Sequence, residues 1–202
     1  MSKLLILGSI AFDQIETPFG KSNSIMGGSA NYIALAAAQF EIPAAVVSIV
    51  GDDYPQEYLH LLTERRIDVS GIEIVQGGKT LFWSGKYHND MNQRDTLDTQ
   101  LNVINDFKPV VPEAFRDAEV LLLGNLHPTL QMDVLNQMTQ RPKLVVMDTM
   151  NYWMNHTWDL LMEVIARVDV LTINDEEARQ LTKEYSLVKA AQCIMAMGVK
   201  YV

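Results

Sequence analysis

Positive charge is scarce in this sequence, and its shortage narrows the possible functions. The 202 residues contain 16 Lys and Arg against 25 Asp and Glu, which gives a formal net charge of −9. Non-specific binding to nucleic acid depends on a basic surface, so we expect no nucleic-acid partner. An acidic protein can still bind ATP, because local donors and a metal ion outweigh the overall field at short range.

Cysteine and long apolar runs are also scarce. The one cysteine, Cys193, cannot form an internal disulfide, and its apolar surroundings in 190–197 predict a buried thiol. No stretch reaches the roughly 18–20 apolar residues that a membrane span needs. No cleavage site of the signal-peptide type follows residues 1–8. These features predict a cytoplasmic protein that does not enter the membrane.

The remaining composition is that of an ordinary globular protein. Hydrophobic residues make up 48% and charged residues 20% of the chain, which suffices for a core. The length fits one domain, taking about 150 residues per domain as a loose guide.

Apolar runs of strand length alternate with helical segments along most of the chain. The first four are predicted as strand, helix, strand and helix at 3–7, 29–40, 44–50 and 56–66. Three more strands, at 119–123, 143–147 and 169–173, are each followed by a predicted helix, at 130–139, 158–166 and 175–181. A final helix is predicted at 187–197. This alternation predicts an α/β fold with a parallel sheet covered by helices.

The segment 72–97 departs from this alternation. Two short β-prone runs flank Gly77-Gly78, which suggests a small antiparallel excursion from the main sheet. No regular element is predicted within the polar stretch 88–105.

Polar residues stand at the ends of several predicted strands, where ligands gather in open α/β sheets. They also cap helices and form turns, so each one alone leaves both interpretations open. The most informative piece is Met26–Asn31, in which two glycines directly precede a helix. Such glycines let backbone N–H groups approach a ligand, and Asn31 adds an amide donor and acceptor. A tight loop with an Asn cap is the structural alternative.

Three ordered motifs resemble a known family. The first combines Gly8-Ser9-x-x-x-Asp13 with Gly27-Gly28-x-x-Asn31. The second combines Val50-Gly51-Asp52-Asp53 with Arg66-Ile67-Asp68-Val69, and the third is Asn174-x-x-Glu177. Together they are similar to the signatures of the ribokinase-like, or phosphofructokinase-B (PfkB), carbohydrate kinases. The pairs Phe40-Glu41 and Tyr54-Pro55 depart from the family pattern at positions that we regard as peripheral.

The resemblance implies a three-layer α/β/α fold with a mostly parallel central sheet. It implies one incomplete domain, 1–202, with a β lid formed by residues of approximately 13–25 and 72–99. A homodimer through the lid is a further implication. The family's Gly-Ala-Gly-Asp motif does not occur in these 202 residues, so we expect the C-terminal part of the fold to be missing.

The resemblance also assigns site residues. The substrate would be bound by Asp13, Gly27, Gly28 and Asn31, with Asn125 and Asp148 as further pocket groups. Asn174 and Glu177 would organise Mg²⁺ and the ATP phosphates, and a carboxylate beside hydrated Mg²⁺ is chemically reasonable.

The implied activity is ATP-dependent transfer of the γ-phosphoryl group to a hydroxyl of a sugar or nucleoside. The general-base Asp is expected beyond residue 202, so we expect these residues alone not to turn over. One alternative is a nicotinamide-dependent or nucleotide-sugar enzyme, although the dinucleotide glycine fingerprint is missing. The other is a truncated, non-catalytic sugar-binding, nucleoside-binding or regulatory relative.

Overall fold

A computed structural model describes residues 3–91 and 93–202. Residues 1, 2 and 92 lie outside this description. The predictions for the ranges 1–202 and 72–99 are therefore compared with the structure at the remaining residues of each range. The chain divides into two compact units. Unit 1 holds the chain up to Leu7 together with Pro109–Val202, and unit 2 holds Gly8–Lys108.

The described residues form strands and helices in this order. The strands are β1 (Leu4–Leu7), β2 (Ala11–Thr17), β3 (Gly20–Lys21), β4 (Ile25–Gly27), β5 (Ala44–Gly51), β6 (Ile67–Val75), β7 (Leu81–Tyr87), β8 (Arg94–Gln100), β9 (Val120–Leu123), β10 (Leu144–Asp148) and β11 (Val170–Thr172). The helices are α1 (Ser29–Ala38), α2 (Gln56–Glu64), α3 (Pro128–Gln137), α4 (Asn151–His156), α5 (Trp158–Ile165), α6 (Asp175–Thr182) and α7 (Leu187–Ala196). Short 3₁₀ turns occupy Asn102–Asp106 and Glu113–Phe115.

Unit 1 contains a fully parallel run of four strands, in the order β11-β10-β9-β1. Its core consists of side chains without solvent exposure, including Leu5, Leu7, Leu121, Met147 and Leu171. Strand β1 is buried at every residue, whereas β9 and β10 alternate between buried and half-buried residues. All three are continuous apolar runs apart from the terminal Asp148, which explains why they could be predicted from the sequence. The predicted alternation in this unit is confirmed.

Helix α4 was not predicted, and the sequence gave it little support. It spans only six residues, and two of them are asparagine, a residue that favours turns and caps over helix interiors. Thr157, with φ −140°, separates it from α5.

Cys193 on α7 is half-buried, so the prediction of a buried thiol is wrong. The buried residues of α7 are Ala190 and Ile194, which lie on its inner face.

Unit 2 contains two sets of strands. Strands β5 and β6 pair in parallel, and β5 is buried along its whole length. A second sheet has the order β3-β2-β7-β8, with β4 paired to β2. In it β2 and β7 run parallel, whereas β2–β3, β2–β4 and β7–β8 are antiparallel.

The structure corrects the expected excursion at 72–97. Residues 72–75 belong to β6 and pair with β5, so the Gly77-Gly78 turn does not connect a hairpin. It allows a close backbone contact, because a Cβ atom added to Gly51 would lie 2.3 Å from the Gly78 carbonyl oxygen. Strand β8, in the stretch where no element was predicted, is exposed at every residue and therefore shows no burial pattern in its sequence.

The Asp-Asp pair after β5 is explained by this turn. Asp52 Oδ2 accepts from the Gly77 N–H at 2.8 Å, and Asp53 Oδ1 accepts from the Thr80 N–H at 2.9 Å and from its hydroxyl at 2.6 Å. These bonds satisfy backbone donors between β6 and β7, so the pair has a structural role here.

In the part of the chain that is described, the longest helices have ten residues, and none is long and apolar enough to cross a membrane.

Unit 1 contains a buried carboxylate with several donors. Asp169 accepts hydrogen bonds from Lys200 Nζ at 2.8 Å, from the Val145 N–H at 2.9 Å and from Arg141 Nη2 at 3.0 Å. Its side chain is 1% exposed. Burial would raise the pKa of Asp169, but the hydrogen bonds from Arg141 and Lys200 outweigh it and lower the pKa to about 2.

We predict that Asp169→Asn lowers the free energy of unfolding by about 2 kcal/mol at pH 7. A carboxylate with a lowered native pKa stabilises the fold above the unfolded pKa of about 4, and this contribution disappears as the pH falls towards 2. Urea unfolding at several pH values checks both statements. The control is Asp117→Asn, which removes an exposed ion pair with Lys3 and should change little. Equal losses in the two variants would contradict the prediction.

Candidate active site

Asp13 and Gly27 are in immediate contact in unit 2. The antiparallel pairing of β2 with β4 sets Ala11 opposite Gly27 and Asp13 opposite Ile25. A Cβ atom added to Gly27 would lie 2.2 Å from Asp13 Cγ. Gly27 is therefore required because the carboxylate of Asp13 occupies the space that any larger side chain would need.

Asn31 joins the same cluster from the first turn of α1. Its side chain is fully buried, and its Nδ2 donates to the Gly27 carbonyl at 2.6 Å and to Tyr54 Oη at 3.1 Å. Its Oδ1 is buried and has no hydrogen-bond partner. Because both donors of the amide are used within the protein, Asn31 offers a ligand an acceptor only, and not the donor that the sequence suggested.

Gly28 closes the cluster through the backbone. It has φ 90°, and an added Cβ atom would lie 2.3 Å from the Ser9 carbonyl oxygen. The same carbonyl accepts from the Ala30 N–H at 2.9 Å, and Ser9 Oγ accepts from the Ser29 N–H at 3.2 Å. The N–H groups of Ser29 and Ala30 are thus occupied by the loop before β2, and the glycine pair lets the two chain segments cross at close distance.

Burial shapes the electrostatics of this cluster. It raises the pKa of Asp13 above its ordinary value, and it raises the pKa of Tyr54 to about 12. The pKa of Tyr32 is raised by burial and by the charges of Asp13 and Tyr87, which places these side chains near one another. The cluster holds a carboxylate and two phenol groups in a partly dehydrated environment.

The other predicted residues lie in unit 1. Asp148 is the last residue of β10 and is half-buried. Burial raises its pKa to about 6, and the negative charge of Glu177 adds to the shift. Asn125 follows β9, and its Oδ1 accepts from Trp153 Nε1 at 2.8 Å. Asp148 and Glu177 therefore form a pair of interacting carboxylates.

The Asn-x-x-Glu motif has a local structural role. Asn174 Oδ1 accepts from the Glu177 N–H at 2.9 Å, and Glu177 Oε2 accepts from the Asn174 N–H at 3.2 Å. This is a complete capping box at the start of α6. The motif alone is therefore explained by helix formation, and its functional interpretation depends on the neighbouring Asp148.

The pair Asp148 and Glu177 fits Mg²⁺. Mg²⁺ prefers oxygen ligands and is commonly held by one or two carboxylates, with water and phosphate oxygens as its other ligands. The negative charge of Glu177 raises the pKa of Asp148, and a nearby cation would favour the ionised form of Asp148. Within residues 3–91 and 93–202, no group of three or more His, Cys, Asp or Glu side chains is placed to hold a metal ion.

Sequence reasoning missed two positioning residues. Tyr54, which we regarded as a peripheral departure, contacts Asn31 and packs against Phe12 in a tilted arrangement, with 5.5 Å between the ring centroids. Gln131 is buried, and its Nε2 donates to the carbonyls of Gly124 at 3.0 Å and Asp148 at 3.1 Å, joining the ends of β9 and β10. The sequence gave no signal for Gln131, because a glutamine in an amphipathic helix is usually exposed.

A shallow surface depression of about 430 Å³ lies elsewhere in unit 2. It is lined by Pro18 and residues 86–90. None of the predicted site residues belongs to this lining, so the cluster around Asp13 is the stronger candidate site.

We predict that Gly27→Ala lowers the free energy of unfolding by about 1 kcal/mol, because the new methyl group displaces the Asp13 carboxylate. The cost should largely vanish in an Asp13→Ala background, as a double-mutant cycle by urea unfolding will measure. Gly28→Ala is the control, since its added Cβ meets backbone atoms of Ser9 and Ile10. It should keep its full cost in both backgrounds. A Gly27→Ala cost independent of residue 13 would refute the contact.

We also predict that Asp148→Asn increases the free energy of unfolding by about 2 kcal/mol above pH 6. The native pKa lies above the unfolded value of about 4, so wild-type stability falls as the pH rises from about 4 to about 6. The two proteins should have similar stability near pH 4. Unfolding in metal-free buffer across this range is the measurement.

A second variant tests the cause of the Asp148 shift. Glu177→Gln keeps an oxygen for the capping box but removes the charge, so the pKa of Asp148 should decrease. A ¹³C carboxyl titration reports it, and an unchanged value would exclude the coupling of the two carboxylates.

Sequence comparisons show which known proteins this chain resembles. The sequence profile of the pfkB family carbohydrate kinases matches residues 1–202. A cytidine kinase of Thermococcus kodakarensis is 28% identical over 211 residues, which cover 100% of this chain and 72% of that protein.

Solved structures show the fold. The nucleoside kinase of Methanocaldococcus jannaschii, an archaeal member of the ribokinase family, superimposes with a TM-score of 0.73 at 16% identity, covering 95% of this chain and 68% of that one. A putative ribokinase II of E. coli, in complex with ATP and Mg²⁺, gives a TM-score of 0.75 at 16% identity, with 98% and 70% covered. The predicted fold class, a ribokinase-like three-layer α/β fold with a mostly parallel sheet, is confirmed. Because the profile matches the whole sequence, the chain belongs to the pfkB family of carbohydrate kinases.

Proposed function

We propose that the protein takes part in ATP-dependent transfer of the γ-phosphoryl group to a hydroxyl of a sugar or nucleoside. The observation that carries this proposal is the cluster in which Asp13 and Asn31 both contact Gly27. Family membership supports the reaction class.

The cluster suits an acceptor that carries neighbouring hydroxyl groups. An ionised Asp13 accepts hydrogen bonds from two hydroxyls at once. Asn31 Oδ1 is a buried acceptor without a partner, and such atoms are costly unless they are satisfied. A ligand hydroxyl donating to it would remove that cost. Hydroxyl recognition is therefore the chemistry for which these side chains are suited.

Asp148, Glu177 and Asn174 would face the nucleotide side of the reaction. Bound MgATP supplies the transferred phosphoryl group and neutralises charge on the phosphate oxygens. A cation bound beside Asp148 would favour its ionised form, and Glu177 would share the charge. The capping box would hold Glu177 in place at the positive end of α6.

We propose the remaining parts of the catalytic machinery by analogy with the family. The general base, an aspartate of a Gly-Ala-Gly-Asp motif, does not occur among these 202 residues. We propose that it lies outside them. The second sheet, with β2, β3, β4, β7 and β8, would act as a lid that excludes water from the acceptor, and homodimers would form through this sheet.

Acceptor binding tests the proposal without requiring catalysis. We predict that Asp13→Asn weakens binding of ribose or of a nucleoside at least tenfold, because a hydrogen bond to a charged acceptor contributes about 1.5–3 kcal/mol. Isothermal titration calorimetry measures it. Asp106→Asn, a change at an exposed position, is the control. Equal affinity in Asp13→Asn and wild type would remove Asp13 from the site.

Phosphoryl transfer is the second arm of this test. Without the general base, the 202-residue chain should bind acceptor and show no ATP-dependent phosphorylation. Measurable turnover by this chain would contradict the assignment of the base outside it.

A further inference from the structure

The orientation of the Asn125 amide in unit 1 is fixed by the indole of Trp153. Trp153 Nε1 lies 2.8 Å from Asn125 Oδ1. An indole N–H can donate a hydrogen bond but cannot accept one, so the amide must turn its oxygen, and not its nitrogen, towards the ring. This bond uses only Oδ1, and both N–H donors of Asn125 Nδ2 remain for other partners. Asn125 is therefore oriented as a hydrogen-bond donor.

The backbone next to Asn125 is held from two sides. The Gly124 N–H donates to the Leu7 carbonyl at 2.7 Å, and the Gly124 carbonyl accepts from Gln131 Nε2 at 3.0 Å. Gln131 Nε2 also donates to the Asp148 carbonyl at 3.1 Å, so the ends of β9 and β10 lie side by side. Because the backbone is fixed, rotation of the side chain is the main freedom left to Asn125, and the indole bond removes that freedom.

The indole ring is itself held by its neighbours. It lies nearly perpendicular to the ring of His127, with 5.2 Å between ring centroids, and to that of Tyr152, with 4.9 Å. Thr157 donates to the Trp153 carbonyl through its N–H at 2.9 Å and through its hydroxyl at 3.1 Å. Trp153 is half-buried, and a buried tryptophan N–H usually has a hydrogen-bond partner. The position of the ring is thus determined both from the end of β9 and from α4.

Tertiary contacts, and not helix formation, place α4. The helix has six residues, which is too short for a stable helix in isolation. Met154 is buried, and Gln180 Nε2 on α6 donates to Asn155 Oδ1 at 2.8 Å. The bond from Trp153 to Asn125 is the contact by which α4 reaches a predicted pocket residue at the end of β9.

We propose that Trp153 is a positioning residue, which holds Asn125 so that its amide donates to an oxygen acceptor of a ligand bound at the ends of β9 and β10. The inference rests on the proposed function, because the ligand is one of the two that the reaction brings together. Oxygen acceptors of this kind occur on the ATP phosphates and on the sugar, and the experiment separates these two sources.

A fixed amide distinguishes ligand atoms, whereas a freely turning one does not. Without the indole bond, Asn125 could present either Oδ1 or Nδ2 to the ligand, and Oδ1 would repel an oxygen acceptor. Holding the donor in place before the ligand arrives removes the cost of ordering it on binding. Trp153 therefore contributes to affinity without touching the ligand.

The binding test uses MgATP and ribose, each by itself, as ligands in isothermal titration calorimetry. Asn125→Ala removes the donor and should raise the Kd of one of the two ligands about tenfold. Trp153→Phe keeps an aromatic ring without the N–H, and it should raise the same Kd about threefold because the amide can then turn. The ligand whose Kd changes is the one that Asn125 contacts. Trp158→Phe, at an exposed position of α5, is the matched control and should change neither Kd.

A double-mutant cycle separates positioning from packing. In an Asn125→Ala background, Trp153→Phe should cause no further weakening, because Trp153 acts only through Asn125. An equal loss in both backgrounds would assign the ring a purely structural role and overturn the proposal. Unchanged affinity for both ligands in either single variant, or no binding of either ligand by the wild type, would overturn it as well. Circular dichroism shows whether each variant is folded.

The indole N–H provides a measurement that needs no ligand. The chain has three tryptophans, and Trp153→Phe identifies the signal of this one in a ¹H–¹⁵N spectrum. Hydrogen exchange of this N–H should be faster in Asn125→Ala and nearly unchanged in Asn125→Asp, whose carboxylate still accepts. Asn125→Asp has nevertheless lost the donor, so it should bind the ligand at least as weakly as Asn125→Ala. Equal exchange in wild type and Asn125→Ala would refute the hydrogen bond.

This inference and the proposed function fail in different ways. Coupled effects of Trp153 and Asn125 on binding, with unchanged ribose affinity in Asp13→Asn, would uphold the positioning role and remove Asp13 from the acceptor site. Weaker ribose binding in Asp13→Asn, without coupling between Trp153 and Asn125, would do the reverse.

Discussion

The candidate site around Asp13 depends on one crossing of two backbone segments. At Gly27 and Gly28 the chain that enters α1 passes so close to the start of β2 that neither position has room for a Cβ atom. One glycine leaves space for the carboxylate of Asp13, and the other meets the carbonyl of Ser9. The serine pair Ser9 and Ser29 fastens the crossing with reciprocal hydrogen bonds. Asn31 then reaches the Gly27 carbonyl from the next turn. Without this crossing, the Asp13 carboxylate and the Asn31 amide would no longer both contact Gly27.

In three aspartates, burial raises the pKa, and the net direction of the shift depends on the hydrogen-bond donors around each carboxylate. Asp169 is buried with three donors, and its pKa is lowered, so it stabilises the fold. Asp13 and Asp148 are partly buried without a positively charged donor, and their pKa values are raised, although the backbone N–H of Thr149 donates to Asp148. Carboxylates whose charge the protein itself leaves uncompensated are typical of sites that bind a ligand or a cation. The cost in stability at Asp13 in unit 2 and at Asp148 in unit 1 is the kind that binding compensates, which is why each of them, and not Asp169, is a candidate binding residue in its own unit.

Sequence reasoning succeeded where burial leaves a pattern. Strand β5 and the strands of unit 1 are apolar runs, and their ends were predicted to within about two residues. The second sheet was harder, because β2 and β7 pair across 70 residues of chain and β8 is exposed throughout. Local sequence contains no information on such pairing. The candidate site residues Asp13, Gly27 and Asn31 were predicted from family motifs, whereas Tyr54 was regarded as a peripheral departure from the family pattern. Its hydrogen-bond partner, the Asn31 amide, is 23 residues away in sequence, so local sequence gives no sign of the contact.

The capping box of α6 shows why a motif does not by itself establish a role. Asn174 and Glu177 satisfy each other's backbone donors, and a helix start alone would select this pair. What distinguishes it from an ordinary cap is the effect of Glu177 on Asp148, whose pKa is raised by a charge from a different element. A cap needs no second carboxylate nearby, and the repulsion is unfavourable in the absence of a cation. The functional meaning of the motif thus lies in its neighbour at the end of β10, and a sequence search restricted to the motif would miss it.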